Sequence, residues 1–188
     1  MSKNKLIKQS ELLQKLKAGK QQEFSKILSE LDTVLTIEAL PALVSVFHAP
    51  ISDSCKEELL VYFNNLSAAD SQETMIQILM DPENLPIRQA LLSTIWNSRL
   101  DYSLYLAEFV EMAVEGDYLE ALECLTIIEN LEGPFEESDI LEAQLHLKEY
   151  IESGVKTDQK AILISEIALL IKNFNEELAD FDMEDLLD

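Results

Sequence analysis

One pattern dominates this chain. Apolar residues return at i, i+3, i+4 and i+7 in one short segment after another. "QQEFSKILSELDTVL" carries Phe24, Ile27, Leu28 and Leu31, and "DSCKEELLVYFNNLS" carries Cys55, Leu59, Tyr62, Phe63 and Leu66. "DSQETMIQILMDP" and "LPIRQALLSTIWNSRL" continue it with Met75, Ile76, Leu79, Leu91, Leu92 and Ile95. That spacing lines up one face of an α-helix and scatters over both faces of a strand. The connections are only a few residues long, so sequential helices must fold back on each other. The pattern predicts an all-α chain of about ten antiparallel helices.

Punctuation agrees with this reading. The four glycines, Gly19, Gly116, Gly133 and Gly154, fall between apolar segments, where helices stop. Ser52, Asp53, Asp70, Asp101, Ser138 and Asp158 stand where N-caps are wanted, and Glu73 follows Asp70 by three residues, as in a capping box. Pro50 and Pro134 close the helices before them.

The segments also repeat. At an offset of 32, Cys55 meets Ile87, Lys56 meets Arg88, Leu59 meets Leu91 and Phe63 meets Ile95. At an offset of 31, Ala90 meets Ala121, Leu91 meets Leu122 and Leu100 meets Leu131. A helix pair cannot bury its apolar face alone, so repeated pairs stack.

The stretch "DPENLPIRQALLSTIW" (81–96) resembles a HEAT repeat, with Asp81 in the turn and Arg88 early on the second helix. "EALPALVSVF" adds Pro41 where first helices of that family often carry a kinking proline. The resemblance covers residues 36–131. Its period is nearer the short HEAT-like units of phycobilisome-lyase-type proteins than the usual HEAT length. It implies an α-α superhelix, or solenoid, of stacked helix pairs in the armadillo-type class. It also implies a bond from Arg88 back to the Asp81 turn, and a protein-binding scaffold rather than a reaction. On this reading residues 1–174 form one array. Residues 1–33 are a basic N-terminal pair, 136–174 a capping pair, and 175–188 an acidic tail.

Charge narrows the partners. The net charge is -22. Residues 1–30 hold seven Lys and three Glu, whereas Leu100 to Leu147 holds thirteen acids and neither Lys nor Arg. Such a field repels phosphate backbones and anionic membranes and draws in basic proteins. The HEAT-like DNA glycosylases use basic grooves, which this chain lacks. The acids Glu120 and Glu123 are the candidate partner-binding residues of this stretch, although acidity also serves solubility alone.

Catalytic constellations are missing from the sequence. His48 and His146 have no Cys or second His at helical metal spacing, and no Gly-rich phosphate loop or nucleophile elbow occurs. The chain is therefore read as a non-enzyme without cofactor or metal. Cys55 and Cys124, without CxxC spacing, read as buried hydrophobes. The lysine-bearing start has no apolar signal core, and "AILISEIALLI" is too short to span a bilayer, so a cytoplasmic monomer is expected.

Two aromatic positions stand out. Trp96 is either core or an exposed anchor. The tail punctuates its acids with Phe181, Met183, Leu186 and Leu187. Acidic-hydrophobic alternation of this kind docks on its own domain, frays without a role, or folds on a partner.

Two functions fit these features. One is a non-enzymatic scaffold or adaptor presenting an acidic helical surface to a basic protein or peptide. The other is an acidic inhibitor that mimics nucleic acid. A scaffold needs apolar anchors among its charges, and a mimic needs carboxylates at phosphate-like intervals.

Overall fold

The computed structural model describes residues 3–66, 70–98, 100–154 and 159–185, with side chains described as far as 176. Among the described residues there are ten α-helices and no strand, as the periodicity predicts. They are α1 (Lys3–Lys17), α2 (Gln21–Asp32), α3 (Leu40–Val44), α4 (Asp53–Asn64), α5 (Gln72–Met80), α6 (Leu85–Ile95), α7 (Leu106–Glu115), α8 (Tyr118–Glu129), α9 (Glu137–Glu152) and α10 (Gln159–Asp185). No helix among these residues is long and apolar enough to cross a membrane. The chain divides into two compact units, Met1–Leu100 and Asp101–Asp188.

In the first unit α1 packs on α2, α2 on α4 and α4 on α6, while α3 packs on α5. Contacts therefore run between some neighbours, α1 with α2 and α5 with α6, and between helices two apart, α2 with α4, α4 with α6 and α3 with α5. Leu16, Phe24, Leu31, Leu43, Leu59, Phe63, Leu79 and Leu91 are fully enclosed between these layers. Each such side chain contributes roughly 1.5–3 kcal/mol by leaving water. Gly19 ends α1 with a φ of +66°, and its N–H donates to the Leu16 carbonyl. A side chain would strain there, which is why glycine terminates this helix.

Pro41 does not kink a long helix. The segment breaks instead into a 3-10 turn (Ile37–Ala39), the five-residue α3 and a second 3-10 turn (Ser45–His48). Pro41 lies in the first turn of α3, where the missing N–H costs nothing. The "DPENLP" stretch repeats the device, with a 3-10 turn (Pro82–Asn84) leading into α6 and Pro86 in its first turn. Asn84 holds this corner together. Its amide donates to the Ile78 carbonyl at 2.9 Å, and its Oδ1 lies 2.9 Å from Nε2 of His48. His48 is thus a structural tie between two turns.

Several predicted caps move. Ser52 caps α4 by accepting from the Cys55 N–H, and Asp53 is the first helical residue rather than the cap. Asp70 stands one residue before the Ser71 cap, in left-handed backbone at φ 71°, so Glu73 forms no capping box with it. Ser138 lies inside α9, whose cap is Glu136. Asp101 accepts from the N–H and hydroxyl of Ser103 and opens a 3-10 turn, Ser103–Tyr105. The Asp158 expectation lies outside the described residues.

In the second unit α7 packs on α8 and α9, and α10 on α8 and α9. Phe109, Met112, Ala113, Cys124, Ile128 and Ile171 are fully buried there. Both cysteines, Cys55 and Cys124, are free and buried. Helix α10 runs unbroken across the boundary expected at 174/175. Lys160, near its start, reaches the far end of α7. Its ammonium donates to the Val114 and Gly116 carbonyls at 2.7 and 2.5 Å and lies 5.5 Å from the centre of the Tyr150 ring.

The 31-residue register fails at α8. It pairs enclosed Leu91 with Leu122, which is exposed. An offset of 33 matches burial instead, pairing Leu91 with Cys124, Leu92 with Leu125, Thr94 with Ile127 and Ile95 with Ile128. Leucine identity misleads here, because a helix face is set by phase rather than by residue type.

Candidate functional site

Helices α2 and α4 lie side by side. The Ser25 hydroxyl donates to Glu58 at 2.6 Å, and the Tyr62 hydroxyl donates to Asp32 at 3.0 Å. Both bonds advance in the same direction along the two helices, so α2 and α4 run parallel. Between them opens a groove of about 850 Å³. Each wall is 12 residues long, about 18 Å at the rise of an α-helix.

The groove floor is apolar. Leu28, Leu35, Ile37, Leu40 and Leu66 line it, and Val61 stands on the α4 wall with 58% of its surface exposed. The charged residues of the lining are Asp32, Glu57 and Glu58, all acidic. Hydroxyls of Ser25, Ser29, Ser54, Thr36 and Tyr62 and the amide of Asn65 fill the remainder. Burial first, and then the hydrogen bond and charge of Asp32, push the Tyr62 phenol well above its ordinary pKa, so it stays protonated as a donor. Asp32 and Glu58 each keep acceptor positions open beyond the bond they accept.

This groove is not where the charge count along the chain points. Its acids come from two helices separated in sequence, near the lysine-rich start. A signal for it does exist, since Leu59-Leu60-Val61-Tyr62-Phe63 are five consecutive apolar or aromatic residues. No single helix face can bury five in a row, so one must point outward.

The residues singled out from sequence are scattered. Asp81 is exposed and accepts from the Glu83 N–H at 2.9 Å, capping its own turn. Arg88 is buried, with 5% exposed. Pro41 sits at the start of α3, beside groove residue Leu40. Trp96 follows α6 with 46% of its surface exposed. The Phe181 side chain and all of Leu186 lie outside the described residues.

Glu120 corrects the sequence reading. It belongs on no outer face, for only 8% of it is exposed. Asp117 accepts from the N–H groups of Leu119 and Glu120, and Glu120 accepts from the Asp117 N–H at 3.0 Å. The pair is a full capping box on α8. Gly116 makes room for it: a β-carbon there would stand 2.7 Å from the Met112 carbonyl and 2.8 Å from Cβ of Glu120. Glu123, one turn on, is half-buried.

The lysine-free stretch does gather charge at one place. Glu108 and Glu111 of α7 act electrostatically together with Asp139 and Glu142 of α9. Burial above all, then these neighbours, raise the pKa of Glu108. Among the described residues no group of three His, Cys, Asp or Glu is arranged to hold a metal ion.

No protein-family model, curated protein or solved structure matches this chain.

Proposed function

We propose that this protein is a non-enzymatic interaction module that presents an acidic helical surface to a basic protein segment. The observation that carries the reading is the α2/α4 groove: an apolar floor with only carboxylates among its charged lining residues. Carboxylates alone would serve solubility equally well. Apolar side chains set among them are what a protein ligand needs, because desolvated apolar contact supplies affinity and charge supplies rate and specificity. A nucleic-acid surrogate has no use for that floor, since the phosphate backbone it imitates is polar throughout.

The framework of the proposal is a HEAT-like stack of helix pairs. Support comes from contacts between helices two apart in sequence, α2 with α4, α4 with α6 and α3 with α5. The parallel course of α2 and α4 is also that of equivalent helices in successive pairs.

Fluorescence anisotropy tests the function. The full chain should bind a labelled basic amphipathic peptide in low salt and lose affinity as salt rises. It should ignore the same peptide with Glu in place of Lys. Equal binding of both peptides would sink the proposal.

A further inference from the structure

We infer that the α2/α4 groove takes one amphipathic helix of a basic partner, about three turns long, with its apolar stripe on Val61 and the Leu35–Ile37–Leu66 end and with cations facing Asp32 and Glu57. This rests on the interaction reading above and deepens it.

The helical form follows from what the groove walls can offer. Both are α-helices, and their backbone N–H and C=O groups are used within each helix except in the terminal turns. An extended peptide laid between them would give up water from its own backbone without a strand edge to replace it. A helix satisfies its backbone internally and needs only a matching face. The wall length sets the match, since 12 residues of α2 and of α4 face about 12 residues of ligand helix.

The pattern of the ligand follows from the α4 wall. Glu57, Val61 and Asn65 lie at i, i+4 and i+8, one row of a helix. Val61 is its apolar centre. Leu66 lies near the far end, where the chain leaving α2 brings Leu35 and Ile37 to the same groove. Apolar ligand side chains one turn apart bridge these two spots. Carboxylates flank them, Glu57 before Val61 and Asp32 opposite Tyr62. Because α2 and α4 run parallel, their C-terminal ends gather at the Asp32 end and add two negative dipole ends to that carboxylate. The strongest cation therefore belongs there. A small neutral apolar molecule would use the floor but leave the carboxylates without a counter-charge.

The test uses the full chain and a labelled synthetic peptide of about 14 residues, leucines on one helical face and lysines on the other. A scrambled peptide has the same composition with the leucines spread around the helix. The deciding variant is Val61→Asp. Val61 is exposed, so the fold tolerates the change, and far-UV circular dichroism checks it. The variant adds an acid, so binding by charge alone should tighten. The inference requires weakening of roughly tenfold, the loss of one buried Val contact. Asp32→Asn should also weaken binding by several-fold.

Tighter binding of the patterned peptide, together with the Val61→Asp loss, supports the inference. Equal binding of patterned and scrambled peptides overturns the helical ligand. Patterned binding that Val61→Asp leaves unchanged or strengthens overturns the groove as its site, while the acidic interaction module stands. Failure of both peptides to bind overturns inference and module together. Displacement of the bound peptide by a neutral fluorescent apolar dye, with dye affinity insensitive to Asp32→Asn, would assign the floor to a small molecule instead.

Discussion

Replacing Lys160 by Met should destabilise the Asp101–Asp188 unit by about 1–3 kcal/mol. The ammonium of Lys160 donates to the Val114 and Gly116 carbonyls at 2.7 and 2.5 Å, which are free acceptors at the end of α7. Two hydrogen bonds from a charged donor are worth about 3–6 kcal/mol together. Its position 5.5 Å from the Tyr150 ring centre adds about 0.5 kcal/mol at a half-exposed site. Met returns up to about 2 kcal/mol of side-chain entropy on release, and water re-solvates part of both carbonyls, which leaves the stated net. Lys160→Arg should recover only part of the loss, because a site fitted to a compact ammonium on a flexible stem must instead take a longer side chain whose donors are fixed in a planar fork. Urea unfolding followed by far-UV circular dichroism gives the difference. Amide exchange then locates it, since the Gly116 N–H, which donates to Met112 at 2.9 Å, should lose protection. An unchanged urea midpoint, with Gly116 protection intact, would refute the idea that this lysine holds α7, α9 and α10 together.

Two further perturbations separate structural acids from surface acids. Glu120→Ala should cost about 1 kcal/mol in urea unfolding by removing half of the α8 capping box, and a variant as stable as the parent would contradict that role. Glu108 has a folded pKa raised above its ordinary value, so its ionised form opposes folding at neutral pH, and that opposition fades as pH falls through the raised folded value. Glu108→Gln should therefore stabilise the protein at about pH 7 and give no gain at about pH 4; a gain equal at both would disprove the burial cause. Asp101 works in the opposite sense. The Ser103 hydroxyl and then its N–H hold its pKa down, so its contribution is present at neutral pH and lost in acid.

The helices were legible because period is a local property. Leu12, Leu13 and Leu16, or Phe24, Ile27, Leu28 and Leu31, name their own buried faces, and those faces are buried. Caps were less legible. An Asp or Ser before an apolar run is common, and only backbone geometry selects the one that bonds, as Asp117 does and Asp70 does not. "DYLE" at 117–120 has the spacing of a capping box, yet its Glu reads equally as one more surface acid in an acidic stretch. The groove was the least legible feature. It joins Ser25 with Glu58 and Asp32 with Tyr62, pairs about thirty residues apart that no local pattern links. Trp96 was open between core and surface, and being nearly half exposed it keeps the role of a candidate anchor.

In the proposed interaction, net charge and the groove act on different steps of association. A net charge of -22 belongs to the whole surface, and its pull on a basic partner extends about one Debye length, roughly 8 Å in physiological salt. That pull speeds encounter without choosing a pose. The three carboxylates lining the groove act at contact distance, where apolar neighbours lower the local dielectric and strengthen each charge pair. The acids of Leu100–Leu147 contribute to the net charge of the chain, and some of them, Glu120 foremost, are occupied in holding a helix end. Counting acids along the chain finds the steering field. Locating the proposed binding surface requires knowing which acids stand beside exposed apolar side chains, and here Val61, between Glu57 and Asn65 on one row of α4, is the residue that brings the two together.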